Sequence, residues 1–351
     1  MSGSVKPGYA RALDIKRGHV DLNHGGGGRA MLQLVREVFV RHLGNEYLAQ
    51  GNDGTLLPTP TGNLVLTTDS HVVAPLFFPG GDIGSLAVHG TINDLAVMGA
   101  RPLWLTAGFI LEESFPLADL DRIVASMAHA SREAGVDVVA GDTKVVERGK
   151  GDGVFITTTG VGVLESAVAL SGANARPGDA VLLSGTLGDH GMAIMGQREG
   201  LGFETPIQSD TAALHGMVAA LLERAGSAVR LMRDPTRGGL AATLNEIADQ
   251  SGVGVLLEEA AIPVRPEVRA ACELLGIDAL NVANEGKLVL VCTPDAAAEL
   301  LAVMHSHPLG RDAARIGSIT DDANHFVQMR TPLGGHRMID WLSGEQLPRI
   351  C

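Results

Sequence analysis

Several features that define whole classes of proteins are missing from this sequence. Only 8 Phe, 2 Tyr and 2 Trp occur among 351 residues, so few side chains could stack on nucleic-acid bases. No apolar run approaches the roughly 18 residues of a membrane helix, and the N-terminal segment lacks the apolar stretch of a secretory signal. The glycines follow no three-residue period, which excludes a collagen-like chain. We therefore expect a globular protein with neither a membrane nor a nucleic acid as partner.

Positive charge and cysteine are also scarce. The 27 Lys and Arg residues face 40 Asp and Glu residues, for a net charge of −13, so no basic surface for nucleic acid is expected. Three cysteines are an odd number, which favours free thiols in a reducing cytoplasm. Cys272 lies in a helical pattern and Cys292 in an apolar run, so both are expected in the core. Cys351, the last residue, has no such packing reason and is a candidate reactive thiol, the alternative being chance termination.

Glycine and aliphatic residues are abundant instead: 45 residues are glycine, and 45% of the chain is hydrophobic. The length indicates roughly two domains, and the turn-rich segment 175–179 marks a boundary. We expect an N-terminal domain over 1–174, a C-terminal domain over 175–342 and a flexible tail over 343–351. The hydrophobic periodicity predicts helices at 29–43, 83–98, 117–134, 190–198, 211–224, 238–250, 266–275 and 294–305. It predicts strands at 63–68, 103–111, 136–140, 154–163, 180–183, 253–257, 288–292, 315–319 and 326–329. Both halves mix the two element types, so the fold class is α/β or α+β.

A run of four glycines leads into the first predicted helix; its members are Gly25, Gly26, Gly27 and Gly28. Backbone N–H groups without Cβ atoms can curl around an anion, and a helix N-terminus favours negative charge. The alternative is a flexible arm. No P-loop pattern occurs, so a bound nucleotide would require another architecture.

Several aspartates stand at predicted element ends or inside an apolar helix. Asp53 lies in a turn, Asp69 and Asp142 follow apolar strands, Asp94 interrupts an apolar helix, and Asp234 lies in a strand-to-helix loop. Carboxylates that converge at such ends could hold Mg²⁺ against phosphate oxygens. Each one could instead be a turn or capping residue, although a charge inside an apolar helix is costly without a partner.

One further segment, Gly141-Asp142-Thr143-Lys144, places a lysine just beyond an apolar strand. Lys144 could act as a point charge for phosphate, or it could be an ordinary solvated lysine. The segment GTLGDHG joins another strand to a helix, but it is not the dinucleotide-binding pattern.

Taken in order, eight segments resemble one family. They are LNHGGGG, LTTDSHVVAPLFFPGGDIG, INDLAVMGA, AGDTKVV, GTLGDHG, RDPTRGG, ANEGK and the terminal PRIC. This order is similar to the HypE family, the carbamoyl dehydratases of [NiFe]-hydrogenase maturation, within the superfamily of aminoimidazole ribonucleotide synthetase and selenophosphate synthetase. The resemblance spans residues 19–351, and the terminal PRIC is its most specific part.

The resemblance implies a two-domain synthetase-like fold, in which N-terminal strands join those of a second subunit in a homodimer and ATP binds along the first domain and its interface. The glycine run would lie near phosphate, and Asp142, Thr143 and Lys144 would belong to the nucleotide site. The Mg²⁺ ligands would be Asp53, Asp69, Asp94 and Asp234. This sequence departs from the superfamily's Asp-Ala-Ala-Val around Asp53, where it reads Asn-Asp-Gly-Thr, so Asp53 is the least secure of the four.

The implied chemistry starts on Cys351. The carbamoyltransferase HypF would place a carbamoyl group on its sulfur, and ATP would then drive dehydration to a thiocyanate. Lys144 and Glu285 are the candidates for positioning or proton transfer. The tail would enter the ATP site and later withdraw to deliver cyanide to iron on a HypC–HypD complex.

Two other functions explain part of the same sequence. A related ATP-dependent synthetase acting on a free small molecule would account for every feature except the terminal cysteine. A non-enzymatic carrier would use Cys351 only to hold and pass on a group, with the acidic loops serving structure.

Overall fold

The computed structural model describes residues 12–165, 170–200, 207–342 and 349–351. Within these residues the strands form two main sheets and a short two-stranded ribbon. The N-terminal sheet has the order β1-β6-β4-β5, in which only β4 and β5 run parallel. Its strands are β1 (Asn63–His71), β4 (Arg101–Glu112), β5 (Asp137–Val146) and β6 (Val154–Leu164). The ribbon consists of β2 (Phe77–Phe78) and β3 (Gly81–Asp82).

One face of the N-terminal sheet is covered by helices α3 (Ile83–Val97) and α4 (Leu117–Ala134). Helix α3 begins at Asp82, whose carboxylate accepts hydrogen bonds from the backbone N–H groups of Gly84 and Ser85, the usual device for satisfying a free helix N-terminus. Helix α4 ends at Gly135, which takes the left-handed conformation with φ 67°. The other face of the sheet is open in the single chain.

The C-terminal sheet has the order β13-β12-β9-β11-β7-β10-β8 and is antiparallel apart from the pairing of β12 with β9. Its strands are β7 (Ala180–Leu183), β8 (Val229–Arg233), β9 (Gly254–Glu258), β10 (Val289–Cys292), β11 (Ala314–Thr320), β12 (Val327–Arg330) and β13 (His336–Met338). Its helices are α5 (Asp189–Arg198), α6 (His215–Ala225), α7 (Gly239–Ser251), α8 (Pro266–Leu275) and α9 (Ala297–Ser306). The central strands β7 and β10 are buried along their whole length, as expected for strands covered on both faces.

Most predicted elements occur within a few residues of their expected bounds, because their apolar periodicity reports the buried face directly. The first predicted helix is more irregular than expected: α1 (Arg29–Leu34) and α2 (Arg41–Leu43) flank a π-helical stretch, Val35–Val40. Strand β5 continues six residues beyond its predicted end, through the segment that carries Lys144. The short strands β2, β3, β8 and β13 are missing from the predicted strands, since too few residues show their alternation.

The cores of the two halves are not separate. The hydrophobic cluster beneath the N-terminal sheet also contains Met192 and Ile194 of α5 and Val268 of α8, so these C-terminal helices pack on the first half. The boundary at 175–179 lies between the two sheets in sequence and stays a prediction. Cys272 and Cys292 are buried as expected, and burial raises the pKa of Cys272 to about 11. No helix in the described ranges is both long and apolar enough to cross a membrane.

Candidate active site

Three of the predicted aspartates meet beside strand β1. Asp69 lies near the end of β1, Asp94 on the facing helix α3, and Asp234 just after β8. Burial raises the pKa of Asp94, and the nearby charge of Asp69 adds to this. Burial and then the charge of Asp94 raise the pKa of Asp234 to about 7. Carboxylates that raise one another's pKa lie close together in a poorly solvated place, which is where a cation is most stabilising.

A cleft of about 430 Å³ opens beside these carboxylates, between β1 and α3 on one side and β8 on the other. Asp94 and Asp234 contribute its acidic groups, and the hydroxyl of Thr67 donates a 2.8 Å hydrogen bond to Asp94 Oδ2. Its apolar lining consists of Val65, Leu66, Val97, Met98, Leu170, Leu231 and Met232. An apolar wall with a few converging polar groups is typical of a small-molecule site.

Asp53 does not join this group. It lies in an exposed loop that is held at the far edge of the N-terminal sheet, where the hydroxyl of Thr55 donates to the carbonyl of Val139 in β5. Among the described residues, no three His, Cys, Asp or Glu side chains already stand at metal-ligand distances. The structure thus brings together three of the four predicted metal ligands.

The glycine run lies against β5. A Cβ atom on Gly25 would come within 2.8 Å of the backbone nitrogen of Val145, so glycine is required there for close packing. Gly27 has φ 77°, and added Cβ atoms at Gly27 and Gly28 would face open space. The run therefore presents its outer part to solvent, directly beside the strand that carries Lys144.

Asp142 and Lys144 lie on the open face of β5. Their side chains are exposed and paired, with 3.0 Å between Lys144 Nζ and Asp142 Oδ2, and this hydrogen bond lowers the pKa of Asp142. Thr143 is buried and lies on the opposite face, because side chains alternate along a strand. The glycine run thus lies beside the strand that carries Asp142 and Lys144, and the Thr143 side chain points to the opposite face from these two.

Glu285 is held in a buried loop by its backbone. Its N–H donates to Asp210 Oδ1 at 3.0 Å, and its carbonyl accepts from the Asn93 side chain at 3.1 Å. Lys287 Nζ binds the second oxygen of Asp210 at 2.9 Å. A Cβ atom on Gly286 would lie 1.8 Å from the Asp210 carbonyl oxygen. Only glycine, which has no Cβ atom, avoids this clash. This loop fixes the direction of the Glu285 side chain.

The Glu285 side chain is only 4% exposed. Burial raises its pKa well above the ordinary value, and the charges of Asp234 and Asp210 raise it further. No donor in the described part of the chain reaches Glu285 Oε1, which is fully buried. A buried carboxyl oxygen without a partner costs free energy, so Oε1 is available to a group that enters the pocket.

The C-terminal cysteine fills this pocket. The Cys351 thiol lies beside Glu285, and burial followed by the Glu285 charge raises its pKa. Its backbone carbonyl accepts from the N–H of Val72, just after β1, at 3.0 Å. The first six residues of the predicted tail, 343–348, lie outside the described residues, and the flexibility of the tail stays a prediction.

The predicted catalytic residues divide into two groups. Cys351 and Glu285 meet on the β1 side, whereas Lys144 lies on β5, at the opposite edge of the N-terminal sheet. Three strand spacings separate β1 from β5, or roughly 14 Å. We call the first group, with Asp69, the thiol pocket, and we call the second, the glycine run with Asp142 and Lys144, the β5 edge.

Sequence reasoning missed several residues that complete the thiol pocket. His71 is buried, its Nε2 lies 3.8 Å from Asp69 Oδ2, and Arg237 Nη2 reaches the other oxygen of Asp69 at 3.3 Å. His190 contacts the tail itself. All three lie within the segments DSH, RDPTRGG and GDHG, which were noted for other residues. Their position beside an aspartate or glycine of these segments was the one sequence signal that could have indicated a role in the site.

Comparison with known proteins assigns the fold. Residues 51–164 match the AIR synthase related protein, N-terminal domain, and residues 176–330 match the corresponding C-terminal domain. The two sheets and their order are therefore those of a two-domain protein related to AIR synthase.

Similar whole chains narrow this class. The carbamoyl dehydratase HypE of Cupriavidus necator is 65% identical over 352 residues, covering 100% of both chains. A crystal structure of hydrogenase maturation protein HypE in complex with ATP is 50% identical, with a TM-score of 0.90, and covers 94% of this chain and 99% of that chain. A HypE–HypF complex gives 52% identity and a TM-score of 0.78, covering 88% and 99%. The chain belongs to the HypE family of carbamoyl dehydratases, which act in hydrogenase maturation.

Proposed function

We propose that the protein dehydrates an S-carbamoyl group carried by its own Cys351 to a thiocyanate, at the expense of ATP, and so supplies cyanide for hydrogenase iron. The observation that carries this proposal is the contact between the Cys351 thiol and the buried Glu285. A free-substrate synthetase would have no use for a thiol at this point. A passive carrier would have no use for the carboxylates of Asp69, Asp94 and Asp234 beside it.

The reaction balances as loss of one water. The carbamoyl oxygen attacks the γ-phosphorus of ATP and ADP leaves, while one N–H proton is released. The C–O bond then breaks, phosphate departs with the electron pair, and the second N–H proton is released to leave S–C≡N. Phosphorylation is needed because an amide oxygen is a poor leaving group.

Glu285 is placed to orient the amide nitrogen. The carbamoyl group extends the Cys351 side chain into the space beside Glu285, and its NH₂ group would donate to the unpartnered Oε1. A carboxyl group in hydrogen-bond contact with a reacting N–H is also positioned to take its proton. We therefore assign Glu285 to orientation and proton transfer.

The carboxylates of Asp69, Asp94 and Asp234 fit a magnesium ion, since burial and the charges of neighbouring carboxylates raise the pKa values of Asp94 and Asp234. Because the three groups do not yet stand at ligand distances, water would complete the coordination shell, as Mg²⁺ commonly requires. When bound, ATP with Mg²⁺ supplies the phosphoryl group and neutralises its charge. Asp53 has no part in this assignment.

The β5 edge fits the phosphate chain. The outer glycines Gly27 and Gly28 face open space, and the Lys144 ammonium, on the strand that Gly25 contacts, is also exposed. Backbone N–H groups and a lysine are both common phosphate ligands. We therefore assign Gly25–Gly28, Asp142 and Lys144 to the nucleotide, with Thr143 contributing only through its backbone.

The separation of the two groups supports a homodimer. Lys144 and the apolar side chains of Leu64, Leu66 and Ile110 share the open face of the N-terminal sheet; Leu64 and Leu66 are 62% and 70% exposed. Burying such side chains against a second copy is favourable. It would place the β5 edge of one subunit next to the thiol pocket of the other, which completes a site that a single chain leaves divided.

Two partners follow from the reaction. A HypF-type carbamoyltransferase would load Cys351, supported by the solved complex of a 52% identical HypE with HypF. A HypC–HypD complex would receive the cyanide. We further propose a cytoplasmic location; each of the three cysteines is a free thiol.

Intact-mass measurement tests the proposal. Purified protein carbamoylated on Cys351 should lose the mass of one water from its C-terminal peptide when Mg-ATP is added, and only then. The Cys351→Ala variant should show no such change, which assigns the modification. Retention of the carbamoyl mass in the wild type with Mg-ATP would overturn the proposal, and turnover of a free carbamoyl compound by Cys351→Ala would favour the synthetase.

A further inference from the structure

The last three residues are bound mainly through their backbone. The Arg349 and Cys351 carbonyls accept from the N–H groups of Ala74 and Val72, at 3.2 and 3.0 Å, as an added antiparallel strand would. Arg198 Nη2 donates to the Arg349 carbonyl at 2.9 Å, and its Nε donates to the Ala74 carbonyl at 3.0 Å. Backbone contacts of this kind do not discriminate between side chains.

The carbonyl of Ile350 points the other way and is bound by His190. A carbonyl oxygen can only accept, so His190 Nε2 carries the hydrogen of this 2.8 Å bond. His190 Nδ1 then accepts from the hydroxyl of Ser209 at 2.8 Å. The ring is buried and packs edge-on against Phe78, with 5.4 Å between centroids. His190 is thus a rigid, neutral donor aimed at one carbonyl of the tail.

One side chain of the tail is an anchor. Ile350 is 4% exposed and belongs to the hydrophobic cluster beneath the N-terminal sheet. Arg349, by contrast, forms an exposed ion pair with Asp152, which contributes little. The backbone bends at Arg349, with φ 55°, and beyond this bend Ile350 enters the hydrophobic cluster while Cys351 lies beside Glu285. A slip by one residue would therefore move Cys351 away from Glu285 and place it where Ile350 lies.

We propose that His190, Arg198 and Ile350 set the register of the C-terminal tripeptide, so that the pocket recognises a peptide ending in an aliphatic residue followed by cysteine. Ile350 supplies the side-chain specificity. His190 and Arg198 act as positioning residues, because His190 binds the carbonyl of Ile350 and Arg198 binds the carbonyl of Arg349. The proposal rests on the proposed function for its purpose, because a thiol held in one register presents its carbamoyl group to Glu285 at every turnover.

Thiol protection in the full-length protein tests this without any turnover. Iodoacetamide labelling, quantified peptide by peptide, should be slow at Cys351 in the wild type. Ile350→Ser should speed labelling at Cys351 about tenfold or more, because an aliphatic side chain is no longer buried, whereas Ile350→Val should retain the protection. Unchanged labelling of the buried Cys272 and Cys292 in each variant will show that the fold is intact.

His190 is tested with a matched pair. His190→Gln places an amide N–H near the position of Nε2 and should retain much of the protection of Cys351, whereas His190→Leu should lose it by a similar factor. In carbamoylated protein, Ile350→Ser and His190→Leu should slow water loss while the KM for ATP stays within about twofold of wild type. Equal protection of Cys351 in all variants would overturn the register proposal even if the wild type dehydrates normally. Protection as expected without ATP-dependent water loss would overturn the proposed function and leave the register proposal standing.

Discussion

The thiol pocket and the β5 edge lie at opposite edges of the N-terminal sheet, and they differ in burial and in the direction of their pKa shifts. Burial raises the pKa values of Glu285 and Asp234, and the charges of neighbouring aspartates raise them further. Asp142 and Lys144 are exposed, and the pKa of Asp142 is lowered by its partner. Proton transfer needs a dry pocket in which pKa values can shift. Phosphate binding needs only accessible positive charge and free N–H groups.

The largest effect should follow from removing the carboxyl at the centre of the thiol pocket. Glu285→Gln keeps the shape but cannot take a proton, so we expect the rate of water loss to fall by about 100-fold or more. The exposed Glu133→Gln is a suitable control and should be unaffected. Single-turnover mass spectrometry on carbamoylated protein measures both, and a Glu285→Gln rate within tenfold of wild type would remove Glu285 from proton transfer.

Mixing two inactive variants tests whether the two regions act across a dimer. The Lys144→Ala chain has a defective β5 edge and an intact thiol pocket, and the Glu285→Gln chain has the reverse. A mixed dimer therefore retains one intact site, built from the thiol pocket of the first chain and the β5 edge of the second. Random exchange in a one-to-one mixture should restore about a quarter of wild-type activity, because half of the dimers are mixed. If each chain is complete by itself, mixing will restore nothing.

The pH dependence of stability should have opposite signs in the two regions. Burial raises the pKa of Asp189, which precedes His190 on α5 and lies 3.9 Å from Lys287 Nζ, to about 6. Its folded form thus holds a proton more tightly than the unfolded chain, and wild-type stability relative to Asp189→Asn should fall by roughly 2–3 kcal/mol as pH rises from about 4 to about 6.

Asp142 at the β5 edge should do the reverse. Its pKa is lowered in the folded protein, so its contribution is present above the unfolded pKa and is lost as the pH falls. Exposure limits the effect to below about 0.5 kcal/mol. Urea unfolding of the wild type, Asp189→Asn and Asp142→Asn from about pH 3 to about pH 6 measures both, and parallel curves for wild type and Asp189→Asn would contradict the assignment.

The smallest expected effect on activity concerns the glycine run. Gly25→Ala would push against the Val145 backbone and displace the run from β5, so we expect the KM for ATP to rise several-fold at an energetic cost of about 1–2 kcal/mol. Gly54→Ala, in the exposed loop of Asp53, meets no atom within 4 Å and is the matched control. Similar ATP titrations for both variants would show that the run does not contact the nucleotide.

Much of the fold was predictable because buried faces repeat regularly along the chain. The predicted helices at 117–134 and 266–275 agree with α4 and α8 to the residue. Among the site residues, the glycine run and Lys144 could be linked to phosphate because their chemistry is local in sequence. Asp53 looked like Asp69 and Asp94 in sequence, yet the chain carries it to another edge of the sheet, which no local pattern reveals.

The sequence by itself determined the element types, an aliphatic core and the family, because periodicity and motif order are written along the chain. It also singled out Cys351 and Glu285. Only the tertiary structure decided that these two meet, that Lys144 lies across the sheet from them, and that His190 holds the tail. Those relations join residues at least 66 positions apart, and contacts at such separation depend on how the sheets pack rather than on local preference.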